Sequence, residues 1–368
     1  MSNLKNLGAL ALLILQYVLY RLGRRKPPEV ERYYERGLTA LAFLFGWWRK
    51  TRIVGAEHCP HSGPAIVAGN HVVMDDPFVT GNAIFRLSGR RIRPHVMMRD
   101  DFFKGVPKWL KKVIDPDEVT RLIGAIQITR EGADPSQLVP FVALLQKGDV
   151  FLIYPGRTRS RSGLFVEYRD WIRSPGATSF FLAKAQEERP ELRTPAIPTA
   201  RTYNPVTKRS TLVFGEPLYL PPGADRPAQR EFDYRLVVAM SDLVDVNVPQ
   251  VLSALLYLRA LHGRGDALEI PSLCASIKRV FSEIALRHAD PRALDDTERE
   301  VRRTLRFLQS RGMLQVRGDR VRLNATAVLA VPPSLFRYKE ANPVKYLANQ
   351  ILHLSDVIRV IERIKDEG

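Results

Sequence analysis

The sequence predicts an α/β domain over residues 56–250, preceded by a helical pair within residues 1–55 and followed by a helical region over 251–368. Three observations carry that expectation. Between residues 60 and 250, short apolar runs bounded by turn formers alternate with helical patterns, the signature of a layered α/β unit. Ahead of them stand two apolar segments flanked by basic and aromatic residues, and beyond residue 250 the pattern becomes almost wholly helical.

The first apolar segment, residues 7–20, is shorter than the roughly 20 residues that span a bilayer. Arg21, Arg24, Arg25 and Lys26 follow it. Charge placed mostly after the run, with no evident small-residue cleavage site, argues against a signal peptide. The second segment, residues 38–48, ends in Trp47 and Trp48 and runs into Arg49 and Lys50. Aromatic and basic residues beside an apolar run favour the membrane interface. The pair is therefore expected to lie in one leaflet, membrane-associated and monotopic, at the cytoplasmic face of the inner or cell membrane.

Residues 63–69 read as a buried strand that delivers Asn70 and His71 to its C-terminal edge, where open α/β sheets hold ligands. A carboxylate one turn away holds an imidazole in one tautomer and stabilises the imidazolium formed when it takes a proton, which suits the pair to deprotonate an alcohol. Spacing leaves open whether Asp75 or Asp76 does this, since either Asp is also suited to cap a helix opening at Pro77. Residues 124–130 form a further strand ending in Arg130, and residues 136–147 a helix. Residues 149–154 form a strand running into the loop 155–163, where Arg157, Arg159 and Arg161 alternate with Thr158, Ser160 and Ser162. Donors and positive charge on such a loop favour a phosphate. Residues 177–188 follow as a helix, 194–200 as a strand, 221–227 as a loop and 229–243 as a helix.

In this order the blocks resemble the glycerolipid acyltransferase superfamily, of the lysophosphatidate and glycerol-3-phosphate acyltransferase type with a His-x4-Asp motif. The resemblance spans roughly residues 60–220. It implies a glycerolipid-acyltransferase-like αβ domain in which His71 and Asp76 are the catalytic dyad and Arg130 contacts the acceptor phosphate. The family's third block usually reads Phe-Pro-Glu-Gly-Thr-Arg-Ser-Arg; here Tyr154 opens it, Gly156 replaces the glutamate and Arg157 the glycine, while Thr158, Arg159, Ser160 and Arg161 are intact. Ala196-Ile197-Pro198 is similar to the fourth block, and residues 214–218 to the Gly-x-Pro-Leu segment after it. Asn70, Arg130, Thr158, Arg159, Ser160 and Arg161 are thus expected at the substrate.

What the resemblance implies is transfer of a fatty acyl group from acyl-CoA or acyl carrier protein to the hydroxyl of glycerol 3-phosphate or lysophosphatidate, with His71 as general base. The altered third block keeps two alternatives in view: a different lipid or non-phosphorylated acceptor, or a catalytically lapsed lipid-binding regulator. No cofactor and no metal are expected. Cys59 and Cys274, the only cysteines, lack metal-ligand spacing and are expected as reduced thiols.

Fifty-six Lys and Arg against 39 Asp and Glu leave a formal charge of +17. That balance favours anionic lipid headgroups, the phosphates of coenzyme A or an acidic carrier protein. A helix over 296–311 followed by a hairpin at 313–323 looks like a winged-helix unit, with Arg302, Arg303 and Arg306 placed for a backbone contact. Nucleic acid is nonetheless not an expected partner, because the arginines concentrate in the phosphate loop and beside apolar segments. Residues 342–354 resemble the tail of glycerol-3-phosphate acyltransferases, which assigns this region to packing or substrate shielding.

Overall fold

The computed structural model describes residues 3–24, 26, 34–99, 107, 115, 118, 121–122, 124–128, 135–156, 159–167, 178–263, 267–284 and 289–367. A mixed sheet organises it, with strands β1 (Thr51–Val54), β2 (Ala65–Gly69), β3 (His95–Arg99), β4 (Ala125–Ile128), β5 (Val150–Ile153), β6 (Pro195–Tyr203) and β7 (Ser210–Phe214) in the order β1-β7-β6-β2-β5-β3-β4. A short β8 (Leu218–Tyr219) pairs with the start of β6. β2 lies parallel to both β5 and β6, whereas β7 runs antiparallel to β6.

The apolar runs at 63–69, 149–154 and 194–200 hold strands β2, β5 and β6, and the described part of the run at 124–130 holds β4. Every residue of β2 and β5 is buried, the expected state of parallel strands covered on both faces. One face is covered by helices α4 (Val139–Lys147), α5 (Thr178–Glu188) and α6 (Arg226–Asp242), where Phe141, Phe151 and Phe181 meet with ring centroids 5.3–5.7 Å apart. On the other face α3 (Asp76–Leu87) sets Ile84 against Val67, Leu152 and Leu212. β1, β3 and β7 extend the sheet beyond the four strands read from the sequence. β1 falls inside the stretch assigned to the N-terminal helices, so the sheet begins at Thr51 and not after residue 55.

Before the sheet, α1 (Asn3–Arg21) packs on α2 (Thr39–Leu44), which continues a π-helical turn at Tyr34–Leu38. No helix among the described residues is long and apolar enough to cross a membrane. Leu7, Leu12, Ile14 and Leu15 of α1, with Phe45 and Trp48 after α2, expose their apolar side chains.

The boundary expected at residue 250 falls inside α7 (Val248–Leu261), which a capping box formed by Asn247 and Gln250 opens. Nearly all of α7 is buried, in a core shared with α8 (Ile270–Glu283), α9 (Thr297–Gln309), α10 (Pro343–Asn349) and α11 (Ser355–Glu367). The expected hairpin is present as β10 (Leu314–Arg317) and β11 (Arg320–Leu323), and β9 (Leu268–Glu269) pairs on the outer side of β11. Ala200 of β6 joins this core, so the C-terminal helices close over one end of the sheet.

Candidate active site

β2 ends at Gly69, and the next two residues leave the sheet at its C-terminal edge. Asn70 stays tied to the neighbouring strand: its amide nitrogen donates to the Arg201 carbonyl at 3.1 Å and its oxygen accepts from the Arg201 N–H at 2.7 Å. Expected at the substrate, Asn70 instead has both ends of its amide engaged in extending the β2–β6 pairing by one rung.

His71 is thereby fixed beside α3. Asp76, the first residue of that helix, is 1 % exposed, and its Oδ2 lies 2.9 Å from Nδ1 of His71. The same oxygen accepts the N–H groups of Val72 and Val73 at 2.6 and 2.8 Å. Asp75 takes the N-cap position without capping through its side chain, and its Oδ1 turns to Arg201. The ambiguity left by the sequence is thus resolved in favour of Asp76. With the Nδ1 proton donated to a carboxylate, the imidazole lone pair sits on Nε2, the tautomer a general base needs.

Asp76 is held from its far side by Arg201, whose guanidinium Nη1 donates to Asp76 Oδ1 at 2.8 Å and to Asp75 Oδ1 at 2.7 Å. Burial opposes the charge on Arg201, yet the two carboxylates outweigh it and hold the guanidinium above its ordinary pKa. Sequence reading missed Arg201. Its one signal was a cation inside an otherwise apolar, β-branched strand, a position that needs a buried partner.

The third-block loop meets His71 from β5. Ser160 N–H donates to the His71 carbonyl at 2.7 Å, and the Tyr154 ring lies 4.9 Å from the imidazole, centroid to centroid. Burial, then the Asp76 charge, pushes the Tyr154 phenol well above its usual value, so it stays neutral. Ser160 Oγ is turned to the Leu164 carbonyl at 2.9 Å, and Arg161 stacks over Phe336 at 4.6 Å. Arg159 lies close enough to Tyr346 and Lys339 for its charge to act on both. Arg130 and Thr158, the other expected substrate contacts, lie outside the described residues, as does Arg157.

The C-terminal helices roof this edge. Gly163 has φ +93°, and a Cβ there would stand 2.0 Å from the Tyr346 carbonyl oxygen. Asn349 donates to the Ser162 carbonyl at 2.9 Å. Asn70, His71, Ser160, Leu164, Arg201 and Gln350 line a cleft of about 330 Å³ empty volume. Cys59 is buried away from it, its thiol pushed up to about 12 by burial, which leaves no thiolate to act as a nucleophile.

A mixed α/β sheet carrying a carboxylate-held histidine at its C-terminal edge has the geometry with which a proton can be abstracted. Residues 50–198 match the family model Acyltransferase. Over that stretch the match agrees with the resemblance read from the motifs and supports an acyltransferase domain. Among solved structures it is similar to the 1-acyl-sn-glycerophosphate (LPA) acyltransferase PlsC from Thermotoga maritima. That match has 15% identity and a TM-score of 0.36, and covers 65% of this chain and 93% of that one. No curated protein matches the chain.

Proposed function

We propose that the protein moves a fatty acyl group from acyl-CoA or acyl carrier protein to the hydroxyl of glycerol 3-phosphate or lysophosphatidate. The observation that carries this reading is the 2.9 Å contact between His71 Nδ1 and a buried Asp76, which leaves Nε2 for the acceptor hydroxyl. His71 takes the hydroxyl proton as the oxygen attacks the thioester carbonyl, a contribution of typically 10²–10⁴-fold. The C–O bond forms, the C–S bond breaks, and the leaving thiolate takes the proton from the imidazolium. Asp76 orients the ring and Arg201 holds Asp76 in place through its 2.8 Å contact with Oδ1. Arg159, with Arg130, receives the acceptor phosphate and so points the hydroxyl at the carbonyl.

The exposed apolar residues of α1, with Trp48 carrying the Arg86 guanidinium 3.8 Å above its ring, support monotopic association with an anionic membrane surface, on its cytoplasmic side. The order α7, β9, α8, α9, β10, β11 supports a winged-helix-like unit in the region after 251. Of Arg302, Arg303 and Arg306, the arginines placed for a nucleic-acid backbone contact, Arg302 is paired with Glu298 at 2.8 Å and Asp319 at 2.9 Å, which favours packing as its role.

Gly156, where the family places a glutamate, supports a second reading: the same chemistry on a non-phosphorylated acceptor. An acyl-transfer assay offering glycerol 3-phosphate, lysophosphatidate and a neutral lysolipid in parallel, with His71→Ala as control, decides between them. Product from a phosphorylated acceptor that vanishes in His71→Ala is the expected result. Turnover of the neutral lysolipid alone selects the second reading, and activity that survives His71→Ala overturns the base.

A further inference from the structure

Between the buried Val328 and the buried Tyr338 the chain carries three large apolar side chains into solvent: Val331 is 77 % exposed, Leu335 53 % and Phe336 73 %. That exposure is built into the fold. The fully buried Asn342 donates through its amide to the carbonyls of Val328 at 2.8 Å and Ala330 at 2.9 Å, which closes the base of the loop. Pro332 and Pro333 restrict its backbone, and Ser334 caps the 3-10 turn Leu335–Arg337 by accepting the Phe336 N–H at 3.3 Å. Apolar side chains held out in water on a fixed backbone mark a surface that something covers.

The loop borders the rim of the His71 cleft. Arg161, in the third-block loop, lies over the Phe336 ring at 4.6 Å, and three residues further on Leu164 both lines the cleft and is exposed. Met74, three positions after His71, is exposed as well. Side chains three-quarters exposed lie in no groove of this chain, so the surface enters its partner and does not receive a peptide. Its charges suit an anionic partner: Arg161 stands on the ring, and Arg337 beside Phe336 makes no ion pair among the described residues. From residue 329 to 345 the charged residues are Arg337, Lys339, Glu340 and Lys345, so a single carboxylate opposes three cations. An arginine stacked on an outward-facing aromatic ring also repeats the pairing of Arg86 with Trp48. Apolar side chains with guanidinium groups beside them fit the headgroup boundary of an anionic bilayer, the first reaching the acyl region and the second staying at the phosphates.

We infer that the loop 331–337, with Leu164 and Met74, is a second lipid-contact surface that seats the rim of the His71 cleft against an anionic membrane. The choice of lipid as partner rests on the proposed reaction, whose product is a lipid with either acceptor. The surface itself is separate from α1 and lies well outside the 50–198 domain. It gives the C-terminal region a part in presenting the site to the bilayer.

The test uses the full chain with vesicles of equimolar phosphatidylglycerol and phosphatidylcholine, and it needs no turnover. Leu335→Glu with Phe336→Glu is expected to weaken sedimentation with these vesicles about tenfold or more, with the unfolding transition unchanged. A nitrobenzoxadiazole label on Phe336→Cys reports where that side chain goes, the native Cys59 and Cys274 being buried. Its emission is expected to shift to the blue on adding vesicles and to be quenched by nitroxide-bearing lipid. An unshifted label on vesicle-bound protein overturns the inference, as does a doubly substituted chain that sediments like wild type. Dimerisation without lipid that the double substitution abolishes assigns the patch to a second copy of the chain and overturns it too. A label that inserts while acyl transfer to every acceptor fails leaves the lipid surface standing and overturns the reaction alone.

Discussion

Arg201 donates to Oδ1 of Asp76 at 2.8 Å across 125 residues of chain, and the two side chains are only 4 % and 1 % exposed. Neither charge is tolerable there alone. Replacing Arg201 with Met keeps most of the side-chain volume and leaves Asp76 without its buried counter-ion. Breaking such a pair from one side costs on the order of 3–5 kcal/mol. Urea unfolding of Arg201→Met should show that loss, and a cost below about 1 kcal/mol would remove Arg201 from the site's foundation.

Asp76 and Asp75 are adjacent carboxylates with different work, which makes them a matched pair of probes. Asp76→Asn preserves shape and can still accept from Val72 and Val73, yet it no longer fixes the Nδ1-protonated tautomer of His71. We expect kcat to fall by about 10²–10⁴-fold with the fold retained by circular dichroism. Asp75→Asn loses only its 2.7 Å contact with Arg201, from a side chain 34 % exposed, and should fall far less. Equal losses in the two variants would mean that Asp76 acts through charge alone.

The strands that flank His71 were legible because a strand buried on both faces is a continuous apolar run, and β2 and β5 are that throughout. The His71–Asp76 spacing was legible as well, though only the pairing in space chose Asp76 over Asp75. β3 was not: His95 and Arg99 leave it only three consecutive apolar residues, and its place between β5 and β4 is decided by pairing. Asn70 and Arg201 show the same limit at the site. Asn70 follows a strand end, where sequence reading expects ligand contacts, and Arg201 lies within β6; the alignment of β2 beside β6 ties the Asn70 amide to the Arg201 backbone and leaves the guanidinium for Asp75 and Asp76. The roof over the site was legible only as the packing or shielding role that the resemblance of residues 342–354 implied; its contacts were not, since Tyr346 and Asn349 lie more than 170 positions beyond the third-block loop they touch.

Gly163 is where roof and loop touch. Its φ of +93° already disfavours a side chain, and the Tyr346 carbonyl oxygen occupies the space a Cβ would need. Gly163→Ala must therefore push α10 away or distort the loop, at about 1–3 kcal/mol for the backbone strain alone. Limited proteolysis should cut the region beyond α9 faster in this variant, and acyl transfer should drop with it. Unchanged proteolysis and activity would show that the roof is not needed.

Leu7, Ile14 and Leu15 stand seven and eight positions apart on one face of α1, and each is at least half exposed. Burying a leucine-sized side chain in the acyl boundary contributes about 1.5–3 kcal/mol. Ile14→Glu with Leu15→Glu should weaken sedimentation with anionic vesicles by at least tenfold while leaving the unfolding transition unchanged. Retained binding would mean that the basic surface alone holds the protein at lipid.

Lys339 offers a readout of its environment before any substrate is added. Burial and the neighbouring Lys208, Arg159 and Arg311 lower its pKa in the folded chain below the ordinary 10.5, against the opposing pull of Glu340. A cation with a depressed folded pKa weakens the fold fully below that value. The penalty fades as pH rises towards 10.5, because in that window the unfolded chain binds more protons than the folded one. Lys339→Met has no such proton to lose. The stability of wild type relative to Lys339→Met should therefore increase between pH 7 and pH 10.5, measured by urea unfolding at matched ionic strength. A difference that stays flat would show that Glu340 offsets the burial and the like charges at Lys339 in full.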